Sequence, residues 1–179
     1  MEESHKRDFR KSCIKRLEFE SRFSKIYKDK KVVRNLHILI KQYKAKSVLL
    51  YIPMGIEVDV LPLINKLRKE RVCEVYVPYM IGDSFKAVKY RLPLKKKKFG
   101  IKEPPNSNFK AKKIDLAIVP VVGVDGLCKR IGFGKGMYDR FFYRLGYTPC
   151  MVFTQLKLCK TPKILSNDYD IQANYIITN

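Results

Sequence analysis

The sequence contains few of the residues and patterns that many common sites require. It has no tryptophan and only two histidines, His5 and His37, so a histidine-based metal site is not expected. The five cysteines are odd in number and include no C-x-x-C pair, which argues against a zinc site and against a disulfide framework. We therefore predict that the cysteines are reduced, mostly buried thiols.

Long apolar runs, a signal peptide and interdomain linkers are also missing. The longest apolar run, 116–124, is far shorter than the roughly 20 residues of a membrane span. The N-terminus is charged where a signal peptide would be apolar, and no segment rich in proline and glycine divides the 179 residues. We expect a soluble, cytoplasmic monomer with a single domain over residues 1–179 and no membrane partner.

Acidic residues are scarce, since 17 Asp and Glu stand against 38 Lys and Arg, for a net charge of +21. Such an excess attracts polyanions such as nucleic acids, phosphates and polycarboxylates. A generally basic surface explains the charge as well as a nucleic-acid interface does. Because the sequence has no zinc spacing, helix-turn-helix pattern or aromatic RNA-binding signature, nucleic acid is not expected as a partner. The basic run LKKKKFG (94–100) is flanked by prolines and contains a glycine, which predicts a loop.

The spacing of apolar residues predicts alternating helices and strands. Helical spacing near the N-terminus predicts two helices joined by the polar turn YKDKK (27–31). Asp59 is predicted to cap a third helix with Pro62 in its first turn, and a fourth helix is predicted over 137–145. The predicted strands are 47–52, 74–79, 114–122, 150–154 and 174–178. This order predicts a single-domain, three-layer α/β fold with an open, mostly parallel sheet and helices on both faces.

The segment KRIGFGKGMYDR (129–140) places three glycines among basic residues, after a predicted strand and before a predicted helix. Bare backbone amides and a helix N-terminus together can bind an anion. The spacing is not G-x-x-x-x-G-K-[ST], and G-x-G-x-G by itself leaves phosphate binding and a plain turn equally open. Arg130 and Lys135 can neutralise phosphate oxygens, and Asp139 offers the oxygen ligand that magnesium prefers. These residues favour a nucleotide–magnesium site.

Six segments, taken in order along the chain, resemble one known family. They are KRDFR (6–10), YIPMGIEVDV (51–60), GIKEPP (100–105), VPVVGVDGLCKRIGFGKGMYDR (119–140), VFTQ (152–155) and DYDIQANYIIT (168–178). Together they resemble the 5-formyltetrahydrofolate cyclo-ligase family, also called methenyltetrahydrofolate synthetase, over essentially the whole chain. Met137, Tyr169 and Val60 stand where the family pattern has Tyr, His and Thr.

The resemblance implies an ATP-dependent C–N ligase of one-carbon metabolism. In that family, ATP and Mg²⁺ drive the cyclisation of 5-formyltetrahydrofolate to 5,10-methenyltetrahydrofolate, with phosphorylation of the formyl oxygen and release of ADP and phosphate. The implied ligands are therefore ATP as co-substrate, magnesium and a folate. Because cellular folates often carry polyglutamate tails, the basic run Lys95–Lys98 is a hypothesis for attracting such a tail.

The same resemblance implies site residues by position. The implied ATP-binding residues are Lys6, Arg10, Arg130, Gly132, Phe133, Gly134, Lys135, Gly136, Met137, Tyr138, Asp139 and Arg140. The implied substrate-binding residues are Ile52, Met54, Glu57, Phe133, Met137, Tyr138 and Gln155. The implied metal ligands are Asp139 and Asp170. Two alternatives from other classes are a basic nucleic-acid-binding protein and a phosphate-binding isomerase on a related α/β scaffold.

Overall fold

The computed structural model of the protein describes residues 2–96, 102–106, 111 and 113–179. In these ranges the helices are α1 (Glu2–Arg22), α2 (Lys25–Tyr43), α3 (Leu61–Lys69) and α4 (Met137–Leu145). The main sheet contains β1 (Ser47–Leu49), β2 (Glu74–Ile81), β3 (Ser84–Lys89), β6 (Leu116–Pro120), β9 (Cys150–Gln155) and β10 (Tyr175–Thr178). Two short pairs join β4 (Lys95–Lys96) to β5 (Lys102–Glu103) and β7 (Gly123–Val124) to β8 (Arg130–Ile131). No helix in the described ranges is long and apolar enough to cross a membrane.

The six-stranded sheet has the order β10-β9-β6-β1-β2-β3. Its neighbouring strands are parallel except β2 and β3, which form an antiparallel hairpin through the turn Gly82–Asp83. The prediction of a mostly parallel sheet is confirmed, whereas β3 was not predicted. A Gly-Asp pair between two runs of strand-forming residues is a hairpin pattern, so the sequence did carry a signal for this strand.

Helices cover both faces of the sheet, as predicted. Val48 and Leu116 pack on one face in a buried cluster with α2 and α3. Their sequence neighbours Leu49 and Ala117 point to the other face, where they share a buried cluster with Phe141 of α4. This alternation explains why the central strands read as continuous apolar sequence, because both faces of a covered parallel sheet are buried.

The two N-terminal helices are present, but the position predicted for the turn between them is wrong. The chain turns at 23–24, where Ser24 has a left-handed backbone with φ of 53°, and the segment 27–31 lies inside α2. Lys28 is buried, and its ammonium donates to both the backbone carbonyl and the carboxylate of Glu20 near the end of α1. The polar sequence therefore satisfies acceptors at a helix C-terminus instead of forming the turn.

Helices α3 and α4 are present as predicted, but the N-cap of α3 is Val60 and not Asp59. The backbone N–H of Leu61 donates to the Asp59 carboxylate at 3.0 Å, and Pro62 lies in the first turn of α3. The strands at the centre of the sheet are shorter than predicted, since β1 and β6 cover only part of 47–52 and 114–122. The residues beyond their ends leave the ladder and enter the connections that form the candidate site.

The prediction of reduced cysteines is wrong for two of the five. Cys13 in α1 and Cys159, which follows β9, form a disulfide with a Cα–Cα distance of 5.8 Å. The two cysteines are 146 residues apart in the sequence, so no local spacing indicates the pair. They meet because α1 packs against Val122 and the segment after β9. The free cysteines are Cys73, Cys128 and Cys150.

The basic run 94–100 is not entirely a loop, which corrects that prediction. Its residues Lys95 and Lys96 form β4, which pairs antiparallel with β5. Lys97 and Lys98 lie outside the described residues, so the structure describes only part of the segment behind the polyglutamate hypothesis.

The strand order places a crevice between β1 and β6. From β1 the chain passes through α3 to β2 on one side, and it later enters β6 on the other side of β1. In open α/β sheets, ligands bind beyond the carboxyl ends of the strands at such a reversal of strand order. The connections after β1 and β6 should therefore contain the site.

Candidate active site

A largely apolar cavity of about 300 Å³ opens at the carboxyl ends of β1, β2 and β6. We call it the apolar cavity. Its lining consists of Tyr51, Ile52, Met54, Glu57, Pro78, Met80, Phe85, Lys102, Pro120, Arg130, Phe133, Lys135, Gly136, Met137 and Tyr138. Six of the seven residues that the resemblance implied for substrate binding are in this set. Its volume is at the low end of the roughly 300–1,000 Å³ that is usual for small-molecule sites.

Gln155 is the seventh of those residues, and it does not line the apolar cavity. Its side chain is buried, and its amide donates to the carbonyl oxygen of Val122 at 2.6 Å. Its amide oxygen accepts the backbone N–H of Cys159 at 3.1 Å. Both polar groups of Gln155 thus join the end of β9 to neighbouring segments.

Glu57 is the carboxylate of the cavity lining. It accepts the backbone N–H of Met54 at 2.8 Å, which closes a tight turn after β1. Burial raises the pKa of Glu57 from 4.5 to about 7, although the Met54 hydrogen bond and the positive charge of Arg130 act in the opposite direction. The ionised carboxylate can accept hydrogen bonds from a ligand in an otherwise apolar environment.

Arg130 is buried between the glycine-rich segment and α4. Its Nη1 donates to Asp139 at 3.2 Å and its Nε to the carbonyl oxygen of Pro120 at 3.3 Å. The guanidinium carbon lies 5.1 Å from the centre of the Tyr138 ring, within the range of a cation–π contact. A Cβ atom at Gly132 would lie 2.3 Å from Nη1, so residue 132 must be glycine for Arg130 to occupy this position.

The glycine-rich loop 132–136 continues directly into α4. Gly134 and Gly136 have positive φ values of 98° and 58°, a conformation that costs glycine little and other residues more. Gly136 is the N-cap of α4, and no side chain caps the first turn. This leaves a helix N-terminus, which carries partial positive charge, next to Lys135. Such a loop has the backbone geometry and partial charge that could accommodate an anion.

A second cavity of about 720 Å³ lies on the other side of this loop, and we call it the basic cleft. Its lining consists of Ser4, Lys6, Arg7, Arg10, Gly134, Leu165, Ser166 and Asn167. Arg10 donates from Nε to the carbonyl oxygen of Gly132 at 2.8 Å, so α1 lies across the glycine-rich loop. Gly134 lines the basic cleft, while Lys135 and Gly136 line the apolar cavity. The loop is therefore the wall that the two cavities share.

Asp125 holds this wall to the C-terminal segment, a role that sequence reasoning missed. Its Oδ1 accepts the backbone N–H groups of Leu127 and Lys129, and its Oδ2 accepts those of Leu165 and Ser166. Burial alone would raise the pKa of Asp125, but these bonds and the Ser166 hydroxyl outweigh it and lower the pKa. An ionised Asp125 thus links the start of the glycine-rich segment to the floor of the basic cleft.

Asp139 and Asp170, the implied metal ligands, line a third cavity of about 520 Å³. Each is already paired with a cation, Asp139 with Arg130 and Asp170 with Lys6. Within the described ranges no three His, Cys, Asp or Glu side chains are grouped as a metal site. Magnesium in nucleotide enzymes is commonly held by one or two carboxylates together with substrate phosphates, so two nearby carboxylates fit that mode of binding.

Arg140, which was also implied for ATP binding, connects two neighbouring segments. Its guanidinium donates to the carbonyl oxygens of Asp83, in the β2–β3 turn, and of Lys135, in the glycine-rich loop. It therefore fixes the loop to the edge of the sheet. The lining residues Met80, Phe85 and Lys102 were not predicted, because the hairpins that carry them were not predicted.

The fold and the two cavities define a class of protein. An open, mostly parallel α/β sheet presents an apolar cavity and a basic, glycine-lined cleft at its switch point, where α/β proteins of this kind bind their ligands. The family model of the 5-formyltetrahydrofolate cyclo-ligase family matches residues 2–179, and the chain belongs to this family. It is therefore a member of a ligase family, as the resemblance predicted.

Individual relatives agree with this assignment. The 5-formyltetrahydrofolate cyclo-ligase of Mycolicibacterium smegmatis is 27% identical over 146 residues, which are 74% of this chain and 73% of the relative. That of Mycoplasma pneumoniae is 23% identical over 175 residues, 97% of this chain and 98% of the relative. The NMR structure of Aquifex aeolicus 5,10-methenyltetrahydrofolate synthetase matches with a TM-score of 0.77 and 29% identity, covering 97% of this chain and 89% of that one.

Proposed function

We propose that this protein catalyses the ATP- and Mg²⁺-dependent cyclisation of 5-formyltetrahydrofolate to 5,10-methenyltetrahydrofolate, with release of ADP and phosphate. The observation that carries the proposal is the shared wall: the glycine-rich loop 132–136 separates an apolar cavity from a basic cleft. A folate bound on one side and a triphosphate on the other would meet across this loop. Membership of the cyclo-ligase family supports the same reaction.

The folate is assigned to the apolar cavity. Its pterin is a flat ring system with amino and N–H donors at one edge, which suit the apolar walls and the Glu57 carboxylate. Ile52, Met54 and Phe133 would contact the ring faces, and Met137 can adapt to its outline because a thioether side chain is flexible. Gln155 remains among the proposed substrate-binding residues, but it lies behind the cavity and not in its lining.

The triphosphate of ATP is assigned to the basic cleft and the glycine-rich loop. Lys6 and Arg10 lie four residues apart on one face of α1, so both can reach the same phosphates. Gly134 and Gly136 let backbone amides approach the phosphates, and Lys135 adds a positive charge between them. The helix N-terminus of α4 supports the same anion.

The chemistry follows from the poor reactivity of a formamide. The formyl oxygen attacks the γ-phosphorus, an O–P bond forms, and the bond from this phosphorus to the bridging oxygen breaks to release ADP. The neighbouring nitrogen N10 then attacks the activated formyl carbon and loses its proton, and the C–O bond breaks as phosphate leaves. For such a transfer the protein chiefly has to align the groups and offset charge, which Arg130, Lys135 and the loop amides would do.

Asp139 and Asp170 would hold magnesium, which when bound neutralises charge on the transferred phosphoryl group. Arg130 and Lys6, which pair with these carboxylates in the structure, keep both side chains oriented toward the site. When the phosphates arrive, the same two cations can shift part of their interaction to phosphate oxygens. The carboxylates then become available to the metal.

The test is to mix purified protein with 5-formyltetrahydrofolate, ATP and Mg²⁺ and to follow the absorbance of the methenyl product. We expect one ADP and one phosphate per methenyl group formed and no product when ATP is omitted. Product formation without ATP, or ATP hydrolysis that leaves the folate unchanged, would contradict the proposal.

A further inference from the structure

The charged residues that line the apolar cavity come from different elements and have both signs. Glu57 lies after β1, whereas Arg130 and Lys135 belong to the glycine-rich segment. Lys102 lies in β5, whose hairpin with β4 packs near β2. The cavity therefore has a carboxylate from one element and a separate cation from the β4–β5 hairpin, to which no role has yet been assigned.

Arg130 and Lys102 differ in the contacts that their side chains already make. Arg130 is buried and bonded to Asp139 and to the carbonyl oxygen of Pro120. Lys102 is exposed, and with the residues that the structure describes its side chain forms neither a hydrogen bond nor an ion pair. Its ammonium group at the edge of the cavity can therefore meet a ligand anion without giving up a contact with the described part of the chain.

The backbone register of the β4–β5 hairpin fixes the position of Lys102 beside the apolar wall of the cavity. Lys96 in β4 is paired directly with Lys102 in β5. The adjoining strand β2 supplies Pro78 and Met80 to the same cavity, so the basic edge and the apolar wall are continuous.

A folate has the complementary arrangement of groups. Its pterin end carries hydrogen-bond donors, and its other end is a glutamate with two carboxylates. We infer that Lys102 binds a carboxylate of this first glutamate and so orients the substrate with its pterin toward Glu57 and its tail toward the β4–β5 hairpin. The inference rests on the proposed function and names Lys102 as a specificity-determining residue.

The experiment compares two substrates that differ only in the glutamate, 5-formyltetrahydrofolate and 5-formyltetrahydropteroate. In Lys102→Ala we expect the KM for the glutamyl substrate to rise about threefold to tenfold, the effect of losing one partly solvated ionic contact. The KM for the pteroate and the kcat for both substrates should stay near wild-type values. The rise in KM should shrink at high ionic strength, because salt screens an exposed charge pair.

Lys113→Ala is the matched control, because it removes the same charge from the region preceding β6, at the amino ends of the strands. It should change neither KM. An equal change in both KM values for Lys102→Ala, or no change in either, would overturn the inference.

Failure of the proposed function gives a different result. The wild-type protein would then form no methenyl product from either substrate. The inference is then decided by equilibrium binding of the two compounds, monitored by ligand fluorescence. Weaker binding of only the glutamyl compound to Lys102→Ala supports it, and equal binding to variant and wild type overturns it.

Discussion

The apolar cavity and the basic cleft share one wall, but different parts of the chain hold them in place. The cavity is lined by strands, by the segments that follow them and by the start of α4, so the sheet largely fixes its shape. The cleft depends on contacts between distant parts of the sequence, since Lys6 pairs with Asp170 across 164 residues and Arg10 bonds to Gly132 across 122. Mutations should therefore be able to change ligand binding in the cavity and in the cleft separately.

The largest effects are expected from Lys135, in the shared wall, and from Asp139, in the helix that follows it. Lys135→Ala and Asp139→Ala should each lower kcat on the order of 10²-fold or more, the usual scale for losing a preorganised electrostatic contact. Asp139→Ala also leaves the buried Arg130 without its carboxylate, which typically destabilises a protein by about 3–5 kcal/mol. Lys135 is exposed, so its variant should change Tm less.

Steady-state rates and thermal unfolding of the same samples test this pair of variants. A lower Tm for Asp139→Ala than for Lys135→Ala would show that the Asp139 variant also loses the carboxylate that pairs with Arg130. Rates near wild type in both variants would refute the roles proposed for these residues.

Gly132→Ala should produce the next largest effect. The new methyl group would lie 2.3 Å from Nη1 of Arg130, so the guanidinium would have to move away from its contacts with Asp139 and Pro120. A displaced guanidinium should reduce kcat/KM by about 10-fold to 100-fold, as a shift of about 1 Å in a positioning group can do. Gly55→Ala is the control, because a methyl group there meets nothing within 4 Å.

If the loop is a shared wall, Gly132→Ala should bind both folate and ATP less tightly than the wild type does. Separate KM values for the two substrates measure this. A defect confined to one substrate would show that the loop serves only one of the two cavities.

The parts of the fold that were predicted correctly depend on local patterns. The central parallel strands and α3 and α4 were predicted from apolar runs and from Asp59 and Pro62 at the start of α3, which act within a few residues. The predicted position of the turn between α1 and α2 was wrong because Lys28 is buried by a contact with Glu20. The spacing of apolar residues does not indicate such a contact. Long-range packing decided that element.

The same distinction applies to the candidate site. The glycine-rich loop is a short sequence motif that could be identified directly, whereas Glu57 was assigned only through the resemblance to the cyclo-ligase family. The Cys13–Cys159 disulfide and the positions of Phe85 and Lys102 in the cavity lining depend on how separate segments meet. The β2–β3 hairpin is an intermediate case, because its Gly82–Asp83 turn is a local signal that the prediction overlooked.

A smaller effect should come from loss of the disulfide, which should change binding in the basic cleft more than binding in the apolar cavity. Cys13 lies seven residues after Lys6 and three after Arg10 on α1, so the bond to Cys159 holds the helix that supplies cations to the basic cleft. Replacing both cysteines by alanine should raise the KM for ATP about threefold to tenfold, equivalent to roughly 0.7–1.4 kcal/mol. The KM for folate should change by less than about twofold.

Cys73→Ala is the control, since this cysteine is free and only partly buried. Kinetics of the wild type with and without a thiol reductant give an independent measurement. Equal changes in the two KM values would mean that the cleft and the cavity do not respond separately.

The last effect should appear in the pH dependence of Glu57. Burial raises its pKa to about 7, so the folded protein holds a proton there between about pH 4.5 and 7 that the unfolded chain releases. This group's contribution to folding stability is therefore present below pH 4.5 and is lost as the pH rises through that interval. Glu57→Gln should raise Tm relative to wild type at pH 8 and leave it nearly unchanged at pH 5.

Folate binding should respond to Glu57 in the opposite direction, because the ionised carboxylate is the stronger acceptor for the pterin donors. The KM for folate in the wild type should rise as the pH falls below about 7, while the Glu57→Gln variant should have a higher KM that depends less on pH. Subtracting the profile of the variant removes the titration of ATP and of other groups. Parallel profiles for the two proteins would show that Glu57 does not accept a hydrogen bond from the substrate, and the apolar cavity would then have to hold the pterin by its walls alone.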